Sequence, residues 1–376
     1  MIIIPVELFS DDLPAIVSLI QELVTIESPS TEKAAVDRLG RRVIRECQEL
    51  GGEIQVFPQP QVGDHIRCRW GNGPDGILLL SHIDTVFDLG ALDKSPFRQV
   101  DQKLWGPGVL DMKSSLAMLF SVLRAFSQKG IRPARPVTAL FTTDEETGSL
   151  TSRELIEAEA RQAAVVFTLE PGLANGALKT ARKGTGDIEL HVKGIASHAG
   201  VDHEKGRNAI EELAHHVLAA QQLTAYDRGT TVNVGVINGG TRPNVVPEEA
   251  HALIDFRVTR MDEADRLEQW VNHLAPIIAG ASLSATFALN RPPMPRDATM
   301  VRTFEKAQMI GRELGLHLAE GSTGGGSDAN FVAPLGIPVL DGLGAVGDGA
   351  HSDREYVLVD SLPERAALLA ALLYNW

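Results

Sequence analysis

Two histidines and three acids are the side chains of this sequence best suited to holding metal: His82, Asp111, Glu146, Glu170 and His351. They offer two imidazoles and three carboxylates, a nitrogen and oxygen set that suits zinc or a similar divalent ion. With Asp111 bridging, each of two ions receives three protein ligands. Two divalent ions and three carboxylates leave a net charge of about +1, which lowers the pKa of a bound water and later neutralises a tetrahedral oxyanion. Asp84, two residues past His82, fits a partner for the imidazole N–H, fixing which ring nitrogen faces the metal. In the adjacent pair Glu145-Glu146, one acid can face the metal while the other takes a proton from the bound water and passes it to a leaving amine. Glu146 is assigned to metal and Glu145 to proton transfer. Taken alone, TTDEETG also reads as two solvated acids in a loop.

These residues follow short apolar runs. Ile77–Leu80, Val137–Phe141, Ala164–Leu169 and Ile337–Leu340 are each too short for a helix and are flanked by polar or turn residues, which predicts strands buried on both faces. The runs lead into acids or histidines in LLLSHIDTV, LFTTDEETG and VVFTLEPG, with GDGAHSD further on. Ligand sites of open α/β sheets lie outside the carboxyl ends of the strands, so the recurrence predicts one shared site. Helical spacing over residues 11–24, 31–50 and 113–129 supplies outer and intervening helices, the second opening on Thr31 as N-cap and stopping at Gly51-Gly52. The alternation is that of an α/β sheet.

Residues from about Gly184 to Leu289 follow another plan. Strand, helix, strand, strand, helix, strand occur in that order, the split-βαβ arrangement of a self-contained α+β domain. Helical Leu362–Tyr374 and the run Ile337–Leu340 then resume the earlier pattern. The expected organisation is a first catalytic part over 1–183, an inserted domain over 184–289 and a second catalytic part over 290–376, with linkers near Lys183 and Pro292-Pro293.

A length of 376 residues with 44% hydrophobic content suits two domains. The net charge of −14 argues against nucleic acid or an anionic membrane as partner, since both reward clustered Lys and Arg. The amino-terminal MIIIPVELFSDDLP lacks a basic segment and reads as neither signal peptide nor anchor. Cys47 and Cys68 cannot staple a fold of this size and read as reduced thiols, which predicts a cytoplasmic protein. His215-His216 falls on a helical stretch and reads as a solvated face. The run Gly324–Gly326 and GPG at 106–108 complete neither a phosphate loop nor a dinucleotide fingerprint.

SHIDTV, GPGVLDMK, TTDEETGS, TLEP, SHAG, GGTRPNVVP, GGGSD and AHSD occur in an order that resembles the co-catalytic zinc peptidases and amidohydrolases. That family includes aminoacylases, acetylornithine deacetylase, succinyl-diaminopimelate desuccinylase and glutamate carboxypeptidases of the carboxypeptidase G type. The resemblance spans nearly the whole chain. It implies a zinc-peptidase-like catalytic domain, with a mixed central sheet flanked by helices, interrupted by a smaller ferredoxin-like domain that forms a homodimer. It also implies two Zn2+ per chain, with Co2+ or Mn2+ as alternatives: one held by His82 and Glu170, the other by Glu146 and His351, with Asp111 between them. His198 would donate to the oxyanion in the partner subunit's site, while Asn244 and Arg257 help hold the substrate. Arg257 has the planar fork that suits a carboxylate, and Gly325 lies in a run whose backbone N–H groups can approach one closely.

Glu at position 170 resembles carboxypeptidases and acylases, where related aminopeptidases carry Asp. AHSDREYV, LTSRELI and GGGSDANF are most similar to the glutamate carboxypeptidase branch. The family's Gly-Gly after the bridging segment is here Ser114-Ser115. The expected activity is hydrolysis, by metal-activated water, of an amide next to a free carboxylate in a small peptide or N-acyl amino acid. A deacylase of the acetylornithine or succinyl-diaminopimelate type uses the same chemistry, and a catalytically silent ligand-binding relative is the alternative of another class.

Overall fold

The computed structural model describes residues 4–376, so the first three residues of the amino-terminal run lie outside the described residues. Two compact units are present. The larger comprises the described residues up to Ala181, with Arg296–Ser322 and Ser327–Trp376; the smaller comprises Arg182–Pro295 and Thr323–Gly326.

The larger unit is built on a six-stranded mixed sheet ordered Glu53–Phe57, His65–Trp70, Val137–Thr142, Gly76–His82, Ala163–Thr168 and Val339–Leu340. The last four strands are parallel, and the first two add an antiparallel edge. Ile77–Leu80 is buried along its whole length, as the unbroken apolar run predicts for a strand covered on both faces. Helix Ser114–Lys129 is buried almost all round, whereas Lys33–Glu49 buries the single stripe Val36, Leu39, Gly40, Val43 and Cys47, the pattern of an outer helix.

Local details depart from expectation in two places. Helix Lys33–Glu49 is preceded by Glu32 rather than capped by Thr31. A turn in which the Glu32 N–H donates to the Pro29 carbonyl feeds the helix, leaving Thr31 exposed one residue too early. The helix does stop at Gly51, whose φ of 71° suits a residue without Cβ. The second departure is His216, which is not on a solvated face: it is buried and bonded to the carboxylate of Glu212 at 2.7 Å, while its neighbour His215 is exposed.

The smaller unit runs strand Gly184–Lys193, helix Ala209–Gln221, strands Thr231–Gly239 and Glu249–Val258, helix Met261–Asn272 and strand Ser282–Arg291. Its sheet is antiparallel, in the order Thr231–Gly239, Glu249–Val258, Gly184–Lys193, Ser282–Arg291. Ile188, Leu190, Ile254 and Phe256 form its core with Leu213 and Leu267 of the helices. Among the described residues no helix is long and apolar enough to cross a membrane.

Glu212 ties this unit together, accepting from the backbone N–H groups of Ile277 and Ile278 as well as pairing with His216. Burial opposes its ionisation, but these donors outweigh burial and hold its carboxyl below the usual range. A depressed carboxyl stabilises the fold above its unfolded pKa, about 4.3, and that contribution disappears as pH falls through the folded value. Glu212→Gln should therefore cost about 1–3 kcal/mol near neutrality and flatten the acid-side loss of stability. Urea unfolding at pH 7 and on the acid side checks both effects.

Candidate active site

Register brings the strand ends together. His82 ends its strand level with Thr142, and Leu80 is level with Thr168, so the turns that begin after Thr142 and Thr168 start beside His82. The Leu169 N–H donates to the Leu80 carbonyl, carrying the chain on towards Glu170. Glu145 and Glu146 open a short 3-10 turn, Glu145–Thr147. Asp111 lies in the irregular segment Val109–Lys113 that feeds the buried helix Ser114–Lys129. His351 does not follow a strand of the main sheet. It sits in the loop between Gly347–Asp348 and Tyr356–Leu358, in a second, antiparallel sheet, with a φ of 63°.

The five expected ligands converge around Asp111. One of its oxygens lies 3.0 Å from His82 Nε2 and the other 3.4 Å from His351 Nε2. His82 Nε2 is also 3.5 Å from Glu170, and His351 Nε2 is 3.2 Å from Glu146. Donor atoms of His82, Asp111 and Glu146 fall within 4.8 Å of one another, as do those of His82, Glu145 and Glu170.

Electrostatics follow from this crowding. Hydrogen bonds to Asp111 and then Glu146 push the His351 imidazole up to about 11. Burial alone would lower the His82 pKa, yet Asp111, Asp84 and Glu170 raise it well above the usual value. Asp111 is held far below the carboxylate range by the two imidazoles, against burial, whereas burial raises Glu146. The acids thus draw positive charge into a confined space, and Glu146 Oε1 is buried without a hydrogen-bond partner. A cluster of two imidazole nitrogens and several carboxylates with an unsatisfied buried oxygen fits divalent cations.

Asp84 acts somewhat differently from the expected ring partner. The His82 Nδ1 contact at 3.1 Å is to the Asp84 backbone carbonyl, and the carboxylate stands 3.5 Å away. That carboxylate accepts from Ser30 Oγ at 2.7 Å and from the backbone N–H groups of Glu146 and Glu145 at 3.2 and 3.4 Å. It therefore orients the acid pair through the backbone.

The sequence pattern of Peptidase family M20/M25/M40 matches residues 78–375. The chain belongs to this family. It is similar to Carboxypeptidase G2 of Pseudomonas sp. (strain RS-16), 32% identical with 97% of this chain and 90% of the relative covered. It is also similar to an acetylornithine deacetylase of Edwardsiella ictaluri, 26% identical with 97% and 98% covered. A dinuclear metal-binding peptidase from Bacillus subtilis shares the fold, with a TM-score of 0.68, 15% identity and 97% and 99% covered. The chain is a metal-dependent hydrolase with a mixed α/β fold.

The remaining expected site residues lie in the smaller unit. His198 is exposed and bridges to Val245, and the Ala199 N–H donates to the Asn244 carbonyl, so the SHAG and RPNVVP loops lie together. Arg257 is apart from them. It is level with Thr185 near the start of the first strand, whereas His198 lies beyond that strand's end at Lys193. Its guanidinium forms a two-pronged ion pair with Asp255 at 2.6–3.0 Å. The Gly325 N–H donates to Thr323 Oγ1 at 3.4 Å, and its carbonyl accepts from Arg182.

Sequence reasoning missed the residues that hold the ligand-bearing segments. Glu355 is fully buried, and its carboxylate accepts from the N–H groups of Gly108, Leu110 and Asp111 at 2.7–3.1 Å. Its only signal was an acid four residues after His351 in AHSDREYV. Arg365 donates to the carbonyls of Gly342, Gly344 and Gly176, and the Gly344 N–H donates to the Glu170 carbonyl at 2.8 Å. A Cβ on Gly344 would lie 2.2 Å from the Leu169 carbonyl oxygen, which is why the approach needs glycine. Ser115, at the family's glycine position, accepts from the Ala345 N–H and secures the same loop.

Removing the carboxylate that fixes the Asp111 segment should loosen metal binding. Glu355→Ala is expected to weaken affinity about 10–100-fold, as for lost outer-shell partners of metal ligands, while far-ultraviolet circular dichroism stays close to the parent. Competition with a chelator of known affinity measures the change.

Proposed function

We propose that this chain hydrolyses the amide bond next to a free carboxylate, releasing a C-terminal glutamate-like residue from a small peptide or N-acyl amino acid, with two Zn2+ per chain. The observation that carries the reading is the Glu145-Glu146 turn, which brings both acids to one cluster: Glu146 lies with His82, Asp111 and His351, and Glu145 with His82 and Glu170. His82 and Glu170 would hold one ion, Glu146 and His351 the other, with Asp111 shared. Bound divalent ions supply Lewis acidity that makes water nucleophilic near neutral pH and neutralises the developing oxyanion.

The protein's own groups do the rest. Glu145 takes the proton of the attacking water on a carboxylate oxygen and delivers it to the leaving amine nitrogen. Asp84 keeps that carboxylate in place through its bonds to the Glu145 and Glu146 N–H groups. His198 donates to the oxyanion in the partner subunit's site, the homodimer being formed through the smaller unit as an inserted lid and dimerisation domain. Asn244 and the Gly325 backbone hold the substrate carboxylate. Arg257, whose guanidinium is paired with Asp255 in this structure, is a further group for holding the substrate. Deacylation of an N-acyl amino acid such as acetylornithine uses the same groups, and the similarity to an acetylornithine deacetylase supports it as the second reading. A cytoplasmic setting accords with the buried, unbridged Cys47 and Cys68.

Glu145→Gln should retain its metals, measured by elemental analysis, while turnover of a glutamate-releasing substrate falls by several orders of magnitude. Near-parental turnover would remove Glu145 from the proton-transfer role. A mixing experiment tests the shared site. Glu145→Gln and His198→Ala chains are each expected to be nearly inactive, whereas their co-refolded mixture should recover a measurable fraction of parental activity, because mixed dimers contain one intact site. No recovery, with mixed dimers verified by mass spectrometry, would place His198 in its own chain's chemistry or outside it.

A further inference from the structure

Strand His65–Trp70 begins where strand Val137–Thr142 ends, Ile66 being level with Phe141. His65 therefore stands where the chain leaves the sheet to form the loop that bears Glu145 and Glu146. It is 1% exposed, and each ring nitrogen meets a hydroxyl of that loop: Nδ1 lies 2.9 Å from Thr143 Oγ1 and Nε2 lies 2.9 Å from Thr151 Oγ1. Thr143 precedes the two acids and Thr151 follows them, so one imidazole spans the neck of the loop. Asp144 ties the returning end as well, its Oδ2 accepting from both the N–H and the hydroxyl of Thr151 at 2.7 Å.

Counting protons shows how the ring is used. Thr143 Oγ1 donates its single proton to the Gly63 carbonyl, so towards His65 it can only accept, and Nδ1 carries the ring's N–H. Burial pushes the imidazole pKa below its ordinary value, although Asp144, Asp84 and Asp64 oppose it. A neutral ring leaves Nε2 as an acceptor for the Thr151 hydroxyl, whose one proton serves that nitrogen and Asp144 Oδ2 in turn. Both hydrogen bonds of the ring thus go to the threonines and neither to an acid of the ligand cluster. Any effect of His65 on the reaction must pass through the loop.

We propose that His65 is a positioning residue for the hydrolysis: by clasping Thr143 and Thr151 it fixes where the loop places the Glu145 and Glu146 carboxylates in the ligand cluster. The inference rests on the roles proposed above for those two acids and adds a support at the ends of their loop, where Asp84 acts on their N–H groups. A proton carrier displaced by about 1 Å can cost about a hundredfold in rate, which is why a buried clasp on a polar loop matters to turnover.

The test removes the imidazole one half at a time. His65→Leu deletes both bonds and keeps the site filled; His65→Asn keeps a polar group near the Nδ1 position, and His65→Gln keeps one near the Nε2 position. With Zn2+ saturating, kcat of His65→Leu for a glutamate-releasing substrate should fall about 10–100-fold while KM stays close to the parent, and Asn and Gln should each restore part of the loss. Parental kcat in His65→Leu, or Asn and Gln variants no better than Leu, would overturn the role. Should His65→Leu fail to fold, Thr151→Val decides from an exposed position: kcat should fall severalfold with Tm unchanged, and a parental kcat overturns the clasp. A further arm does not use turnover. Because the same loop carries Glu146, competition with a chelator of known affinity should show Zn2+ held severalfold more weakly by His65→Leu, with partial recovery in Asn and Gln. That order supports the clasp even if no substrate is hydrolysed, in which case the proposed function fails and the positioning role stands. Parental affinity in all three variants overturns it whatever the turnover shows.

Discussion

Asp111 faces two imidazoles at once, and the surrounding architecture is what holds it there. Each carboxylate oxygen addresses a different histidine, and those histidines come from separate sheets: His82 from the end of a central strand, His351 from a hairpin loop of the small antiparallel sheet. Such a cluster is costly without compensating charge, because buried carboxylates repel and lose hydration. The raised imidazole pKa values express the same demand in proton form. A divalent cation meets it with more charge in less space, and metal binding must then displace protons from the imidazoles.

Holding such a cluster open to cations requires rigid backbone around it, and here that rigidity comes from buried polar side chains bonded to main chain. Glu355 fixes the Asp111 segment, Asp84 fixes the turn bearing Glu145 and Glu146, and Arg365 fixes the glycine loop that is bonded to Glu170. Asp144 does the same within the TTDEETG turn, accepting from Thr151 and Ser152. None of the four donates or accepts only on the surface, where water would compete. Each satisfies several main-chain groups at once, so truncating one leaves several buried partners without their bond.

The central strands and the convergence of the side chains that follow them were legible because both signals are local. An unbroken apolar run reports burial on both faces, and an acid or histidine at its end stands out against it. The βαββαβ order of the smaller unit was legible for the same reason, each element having enough residues to show its period. The ligand-bearing hairpin around His351 was not, since strands of two and three residues carry no period. The holding residues were invisible for a different reason. Glu355 and Arg365 lie in charged or helical contexts that look solvated, and only the tertiary fold reveals that their partners are backbone groups far away in sequence. His216 was misjudged on this ground too, because its burial depends on Glu212 and the turn at Ile277, not on its own neighbours.

The adjacent acids show how one local feature can serve two roles. Alternation along a strand would send Glu145 and Glu146 to opposite faces of the sheet, too far apart to share a centre. The chain has instead left the strand after Thr142 and entered a 3-10 turn, where three residues complete a circle and successive side chains diverge by about 120°. That angle lets both carboxylates reach the same cluster while meeting partly different partners: Glu146 lies with His82, Asp111 and His351, and Glu145 with His82 and Glu170. Two N–H groups bound to the single carboxylate of Asp84 set the pitch of that turn. The divergence of the two carboxylates is therefore a property of backbone geometry, imposed from beneath by a residue that itself sits only two positions past His82.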